Sequence, residues 1–135
     1  MKLYSTIQNL KQDQFNKVLT YCFSYCDTVN IYFPNECSEE ILTFKNKFLQ
    51  AISLLEIEDE RSILEPKEGF MMLIATLNEE VKKLLCTLDP DYRLSFGLIQ
   101  NENVLLYVGD EGEVVIETED TSLKENTLFK DFKSI

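Results

Sequence analysis

The side chains that could carry out chemistry in this chain of 135 residues are four cysteines and 24 aspartates and glutamates, since histidine is absent. Without an imidazole, Ser-His-Asp catalysis, Cys-His catalysis and His-ligated zinc sites are excluded. The four glycines occur at spacings that fit no glycine-rich phosphate loop. Thiol chemistry and carboxylate chemistry therefore remain to be weighed.

Cys22 and Cys26 lie four residues apart in a predicted helix, a spacing that places both on one face. Such a pair could form half a metal site or a redox pair. It shares its face with apolar residues such as Leu19, however, and a free cysteine packs as a small hydrophobe. Cys86, among leucines, is interpreted in the same way, and Cys37 is the only candidate for an exposed thiol. We expect the other three thiols to be buried and reduced, with no metal or cofactor, because zinc sites normally use short paired spacings.

Paired carboxylates could perform glycosidase chemistry or hold Mg²⁺ or Ca²⁺. The run from Asp110 to Glu113 lacks the ligand series of a calcium loop and is typical of a hairpin turn between two strands. Glu79 and Glu80 begin a helix, where acids favour the positive end of the dipole. We therefore interpret the chain as non-catalytic. A metal- and carboxylate-dependent hydrolase is kept as a lesser alternative.

The net charge of −11 is concentrated in two segments of the chain. Residues 1–55 carry five acids and five bases, residues 56–68 carry six acids and two bases, and residues 102–125 carry eight acids and one base. Acidic turns and edge strands can simply keep a protein dissolved and resist edge-to-edge pairing. The alternative is a binding face for a basic partner, because complementary fields speed encounter and reject wrong partners.

The same charge argues against two kinds of partner. Nucleic acids and anionic membrane surfaces both attract basic proteins, and this chain has a pI near 4.4. No secretory leader is recognisable, and the longest apolar run, at 70–75, is too short to span a bilayer. We expect a cytoplasmic protein. The scarcity of residues with GC-rich codons suggests an AT-rich, bacterial genome.

Three helices and a possible fourth must position these side chains. Apolar spacing predicts helices over 10–26, 39–55 and 78–88. Asn9 is expected to cap the first, with Gln12 completing a capping box, and Ser38 to cap the second. A tail from Ser122 is predicted as a short docked helix.

The remaining segments predict strands and one loop. Strict alternation predicts a strand over 28–33 that Pro34 stops. The segment 70–76 is apolar on both faces and is predicted as a central strand covered on both sides, and 56–69 is predicted as a loop. Three further strands at hairpin spacing, 92–99, 104–108 and 114–118, predict an antiparallel meander.

The resulting order is αβαβαβββ(α), which favours an α+β fold over a doubly wound parallel sheet. We predict a single globular domain over 1–135. Its mostly antiparallel sheet has about five strands, with three or four helices packed against it.

The function that these features favour is a non-catalytic acidic protein that engages a basic protein partner, in the manner of an immunity protein or an antitoxin. Two alternatives stay open: a structural or regulatory subunit of a homo-oligomer such as a homodimer, and a mimic of DNA. The residues predicted to bind the partner are Asp110, Glu111, Glu113, Glu117, Glu119, the anchor Tyr107, and Glu58, Asp59 and Glu60.

Overall fold

The structure, a computed structural model, describes residues 3–52, 54–61, 69–90, 94–109, 112–118 and 127–134. Within these ranges the chain forms three α-helices, one 3₁₀ turn and eight strands. The helices are α1 (Gln12–Phe23), α2 (Glu39–Ala51) and α3 (Glu79–Thr87). The strands are β1 (Leu3–Gln8), β2 (Thr28–Pro34), β3 (Leu54–Arg61), β4 (Gly69–Thr76), β5 (Ser95–Gln100), β6 (Asn103–Val108), β7 (Glu113–Thr118) and β8 (Lys133–Ser134).

All eight strands belong to one sheet with the order β3-β4-β2-β5-β6-β7-β1-β8, and every described pairing is antiparallel. The α+β class is confirmed. The expected number of about five strands is wrong, because β1, β3 and the two-residue β8 were not predicted. The antiparallel meander over β5, β6 and β7 is confirmed.

The core lies between the helices and one face of the sheet. Val29, Ile31 and Phe33 alternate along β2 and are fully buried there, as their period of two requires. Phe48 of α2 packs edge-on against Phe33, with ring centroids 5.7 Å apart. Phe15 of α1 reaches the same core further along the sheet.

The start of the chain differs from the prediction. Residues 3–8 form β1, which lies inside the sheet between β7 and β8. Asn9 leaves this strand with a left-handed backbone (φ 62°) and does not cap the helix; Lys11 is the N-cap residue and forms no side-chain cap. The Gln12 side chain instead donates to the carbonyls of Cys86 and Leu88, which ties α1 to the end of α3.

Helix α2 begins as predicted and ends earlier. The Ser38 hydroxyl accepts a hydrogen bond from the Ile41 N–H, as expected of a cap. The helix stops at Ala51 because Ile52 has an extended backbone (ψ 148°). The chain then forms the edge strand β3, where a loop was predicted, and pairs with β4 through a β-bulge.

Asn78 joins α2 to α3. Its side-chain oxygen accepts from the Val81 N–H at 2.9 Å and caps α3, while its amide donates to the Ala51 carbonyl at 3.0 Å. One side chain therefore satisfies an orphan donor of one helix and an orphan acceptor of another.

Of the tail predicted as a short docked helix, the described part forms a 3₁₀ turn, Thr127–Phe129, followed by β8. Phe129 is buried in the core, with Leu128 and Phe132 packed beside it. The proposed cap at Ser122 lies outside the described residues. Among the described residues, no helix is long and apolar enough to cross a membrane.

Strand β4 buries Met72 as well as Leu73, two residues on opposite faces, but the described helices cover only one of these faces. It is the second strand from an edge, and the helices pack only on the face that carries Leu73 and Ala75. Phe70, Met72 and Ile74 alternate with these residues and lie on the opposite face. We call that opposite side of the sheet the open face.

Candidate functional site

Three predicted partner-binding residues meet on the open face. Tyr107 of β6 is paired with Val115 of β7, and Glu113 and Glu117 lie two residues to either side of Val115. Both glutamates are therefore diagonal neighbours of Tyr107, at a separation of roughly 7–8 Å in such a sheet. On the next strand, Tyr4 is paired with Glu117. The register of the strands therefore places Tyr107 and Tyr4 beside these two acids.

A groove of about 380 Å³ opens next to this cluster. Its lining residues come from four adjacent strands and the segment before β5. They are Tyr32, Pro34, Gly69, Phe70, Leu94, Ser95 and Tyr107, and 'the groove' below means the cavity that they line. Phe70 and Tyr107 are three strand spacings apart, roughly 14 Å along a flat sheet. Because one cavity contacts both, the open face is concave at this end.

The rings in the groove are held by neighbouring strands. Tyr32 and Phe70 lie on paired strands with centroids 5.4 Å apart and an interplanar angle of 65°, an edge-to-face arrangement that aromatic quadrupoles favour. Tyr32 is also paired with Ser95 on its other side. Tyr107, 38% exposed, is the most accessible of the three rings.

Gly97 forms a low point between two rows of side chains on the open face. It is paired with Asn30 on one side and with Tyr107 on the other. The Asn30 side-chain oxygen occupies the space where a Cβ on Gly97 would lie. That oxygen is buried and has no hydrogen-bond partner among the described residues. Any larger residue at Gly97 would displace it.

Glu113 is less exposed than its place in an acidic hairpin suggests. Its carboxylate folds over Gly109, where an added Cβ would collide with it, and its Oε2 is buried without a partner among the described residues. The backbone of the same two residues is joined by a hydrogen bond of 2.8 Å from the Gly109 N–H to the Glu113 carbonyl. Gly109 therefore lets the carboxylate lie flat against the turn.

The other predicted residues divide into two groups. Asp110, Glu111 and Glu119 lie outside the described residues. Glu58, Asp59 and Glu60 belong to β3, at the edge of the sheet next to β4, rather than to a loop. The backbone of Glu58 pairs with Met72 and that of Glu60 with Phe70, two residues of the open face, whereas Asp59 pairs with Met71.

The five adjacent strands β4, β2, β5, β6 and β7 contain no Lys or Arg in their sequences. Their only ionisable acids are Glu113 and Glu117, both on the open face. The fixed charge contributed by these strands is therefore entirely negative. A positive group approaching the groove meets no like charge from them.

The cysteines only partly follow the prediction. All four are free; Cys22 is fully buried, whereas Cys26 and Cys86 are half-buried rather than buried. Cys37 is also half-buried, so it is not set apart by exposure as predicted. The helix ends at Phe23, which leaves Cys26 beyond it and nearer to solvent.

Burial raises the pKa of three of these thiols. The pKa of Cys22 is raised well above its usual range, first by burial and then by the neighbouring Cys26. Burial raises the pKa of Cys26 to about 12, with a further contribution from Asp27. Burial also raises the pKa of Cys86. These thiols are poor nucleophiles at neutral pH, because the thiolate is the reactive form.

No three Cys, Asp or Glu side chains converge on a possible metal position within the ranges that the structure describes. The acids of the open face also do not form a close pair, because Glu113 and Glu117 are four residues apart along one strand. The described geometry assembles a concave, acidic and aromatic surface, which is suited to binding.

Sequence reasoning did not identify Tyr32 and Phe70 as part of the site. The alternation along β2 contained a signal, since Tyr32 falls on the side opposite Ile31. Placing Phe70 beside Tyr32 requires the pairing of β2 with β4, which no local pattern specifies. Comparisons with models of known protein families, with curated proteins and with solved structures found no match for this chain.

Proposed function

We propose that this protein is a non-catalytic binding protein that engages a basic protein partner through its open face. An inhibitor of the immunity-protein or antitoxin kind acts in this way. The single observation that carries the proposal is the position of Tyr107 between Glu113 and Glu117, at the rim of the groove. An aromatic anchor with charged residues around it is a common design for an interface.

The charge distribution supports a basic partner over an acidic or neutral one. The five adjacent strands β4, β2, β5, β6 and β7 supply acids without bases, and the bases of the flanking strands are Arg61 of β3 and Lys133 of β8. The two most acidic segments of the sequence begin within β3 and just after β5. Complementary fields raise association rates above the value for neutral proteins, and the increase is lost as salt screens it.

The experiment compares two charge reversals of equal size. Glu113→Lys with Glu117→Lys changes the open face, and Glu39→Lys with Glu40→Lys places the same charges at the start of α2, behind the sheet. Tagged proteins capture partners from the native host at low salt, and association rates are then measured over a salt series. We expect the captured partners to be basic. Their association rate with the α2 variant should equal that with the wild type, and their association with the open-face variant should be slower by about tenfold or more.

Two results would contradict the proposal. One is a captured partner that is itself acidic. The other is an association rate that changes neither with salt nor with the open-face reversals. Circular dichroism of each variant shows that lost binding does not reflect lost folding.

A second candidate function, that of a subunit in a homo-oligomer, is favoured by a different surface. Leu42 and Leu49 of α2 are 47% and 41% exposed and lie two helical turns apart on one side of the helix, away from the core, with Lys45 and Asn46 in the turn between them. Solution mass at low and high salt tests this candidate. A dimer that Leu42→Glu with Leu49→Glu converts to a monomer would support it, and a wild-type monomer at both salts would exclude it.

A further inference from the structure

The groove on the open face contains three aromatic rings from three different strands. Tyr32 comes from β2, Phe70 from β4 and Tyr107 from β6, and all three line one accessible cavity. A volume of about 380 Å³ lies in the range typical of ligand sites, roughly 300–1,000 Å³. Rings that serve only the core would be expected on the helix side, where Phe15, Phe33 and the α2 phenylalanines are buried.

The surroundings of these rings favour a positively charged group. The face of an aromatic ring attracts a cation that lies within roughly 6 Å of its centroid. Glu113 and Glu117 lie diagonally across from Tyr107, and the five strands around the groove carry no basic residue. Attraction by the rings and attraction by the acids therefore act in the same direction.

We propose that this groove receives an arginine side chain from the basic protein partner, stacked against Tyr32, Phe70 and Tyr107. This inference rests on the proposed function and adds the chemical group that is recognised. Arginine fits better than lysine because its planar guanidinium stacks on aromatic faces and is more weakly hydrated than an ammonium group. The Ser95 hydroxyl in the lining can accept a hydrogen bond from one N–H of the guanidinium.

A second copy of this chain is a less suitable occupant of the groove. Two open faces brought together would place the acids of one copy against the acids of the other, and opposed like charges weaken association. A purely apolar side chain would gain nothing from Glu113 and Glu117. Both occupants are outcomes that the experiment distinguishes.

The test measures binding of fluorescently labelled hexa-arginine and hexalysine peptides to the full chain at low salt. Tyr107→Leu and Tyr32→Leu remove a ring and keep an apolar side chain, and Tyr107→Phe keeps the ring. Tyr25→Leu is the matched control, because Tyr25 is 45% exposed at the end of α1, behind the sheet.

We expect hexa-arginine to bind more tightly than hexalysine. Each groove variant that loses a ring should weaken hexa-arginine binding by about tenfold, while Tyr107→Phe and Tyr25→Leu bind like the wild type. The protein has no tryptophan, so its tyrosine emission should also change when hexa-arginine binds to the wild type. This second measurement does not depend on the folding of any variant.

Several results would overturn the inference. Peptide binding that Glu113→Lys and Glu117→Lys weaken, but that the ring-removing variants leave unchanged, would leave the proposed function standing and remove the arginine site. Equal affinity for the two peptides, or a wild-type dimer that buries Tyr107, would also remove it. Absence of binding by either peptide at low salt would count against the arginine site and the proposed function together.

Discussion

Cys22 of α1 and Cys26, just after the helix, show how burial changes the chemistry of a single residue. Cys22 lies in the core and Cys26 just beyond the helix, and burial raises the pKa of both thiols. In the unfolded chain these thiols would ionise at an ordinary pKa near 9.0. Between that value and the higher value of the folded state, the folded protein holds more protons than the unfolded chain.

The free energy of unfolding should therefore decrease as the pH rises from about 8 to about 10, because stability falls wherever the folded state binds more protons. The contribution of Cys26 is complete below pH 9.0 and is lost as the pH approaches about 12. Urea titrations at several pH values measure the slope. Cys26→Ala should make it shallower, whereas Ser24→Ala, a neighbouring substitution without a thiol, should not. Equal slopes in wild type and Cys26→Ala would contradict this assignment.

Phe48 is the residue on which the packing of α2 depends most. It is fully buried and contacts both Phe33 of β2 and Phe44 of its own helix, at centroid distances of 5.7 and 6.1 Å. Its removal would leave a cavity that two rings on different elements border, so the surrounding structure cannot easily collapse to fill it.

Phe48→Ala should lower the free energy of unfolding by roughly 3–5 kcal/mol. The adjacent Leu49 is 41% exposed, so Leu49→Ala should change it by less than about 0.5 kcal/mol. Denaturant titration of both variants makes the comparison. A loss below about 1 kcal/mol for Phe48→Ala would mean that the Phe48 side of α2 is not packed in the core.

Among the elements, those with one apolar face were predictable and those without were not. Strands β2 and β7 bury alternate residues, so a period of two appears in the sequence, and β5 and β6 are apolar runs bounded by turn residues. In β1 the buried position is Ser5, and β3 is an edge strand rich in charge, a composition that also describes loops. The last turn predicted for α2 was wrong because Ile52, which fits the apolar spacing, adopts an extended backbone.

The candidate site was predictable to the extent that it is local. Tyr107, Glu113 and Glu117 lie on two strands joined by a short turn, so the sequence could associate them. The groove required β4 to pair with β2 across an intervening helix and an edge strand. No periodicity specifies such a pairing, and so Tyr32 and Phe70 became visible only in the fold.

The contact between α2 and α3 depends on Asn78, which bonds to both helices. Asn78→Ala should lower the free energy of unfolding by about 1–2 kcal/mol, since it removes a cap and leaves the Ala51 carbonyl without this donor. Asn78→Ser keeps a capping oxygen and is too short to reach Ala51, so its loss should be smaller. Thermal or urea unfolding of the two variants measures the difference. Equal losses would show that the capping hydrogen bond to Val81 adds no stability of its own.

At the scale of the whole molecule, a net charge of −11 on 135 residues opposes the compact state through self-repulsion. The described ion pairs do little to offset it: the two on α3, Lys82–Glu79 and Lys83–Glu80, join residues three apart on the surface of one helix. Such pairs contribute at most a few tenths of a kcal/mol.

Moderate salt should therefore stabilise the fold. Screening weakens repulsion between acids that are farther apart than the Debye length, about 10 Å at 0.1 M salt. The melting temperature should rise from low to moderate sodium chloride, while partner binding weakens over the same range. A melting temperature that falls with salt would show that attractive pairs outweigh the repulsion.

Strand β1 has a consequence for how the chain is made. It is synthesised before every other described element, yet its partners β7 and β8 are synthesised after all three helices. Residues 3–8 must therefore wait, unpaired, until most of the polypeptide has left the ribosome. Contacts between distant parts of a chain form slowly, and unpaired strands invite aggregation in the meantime. The polar composition of β1, with its serine, threonine and glutamine, suits a segment that spends that interval in water.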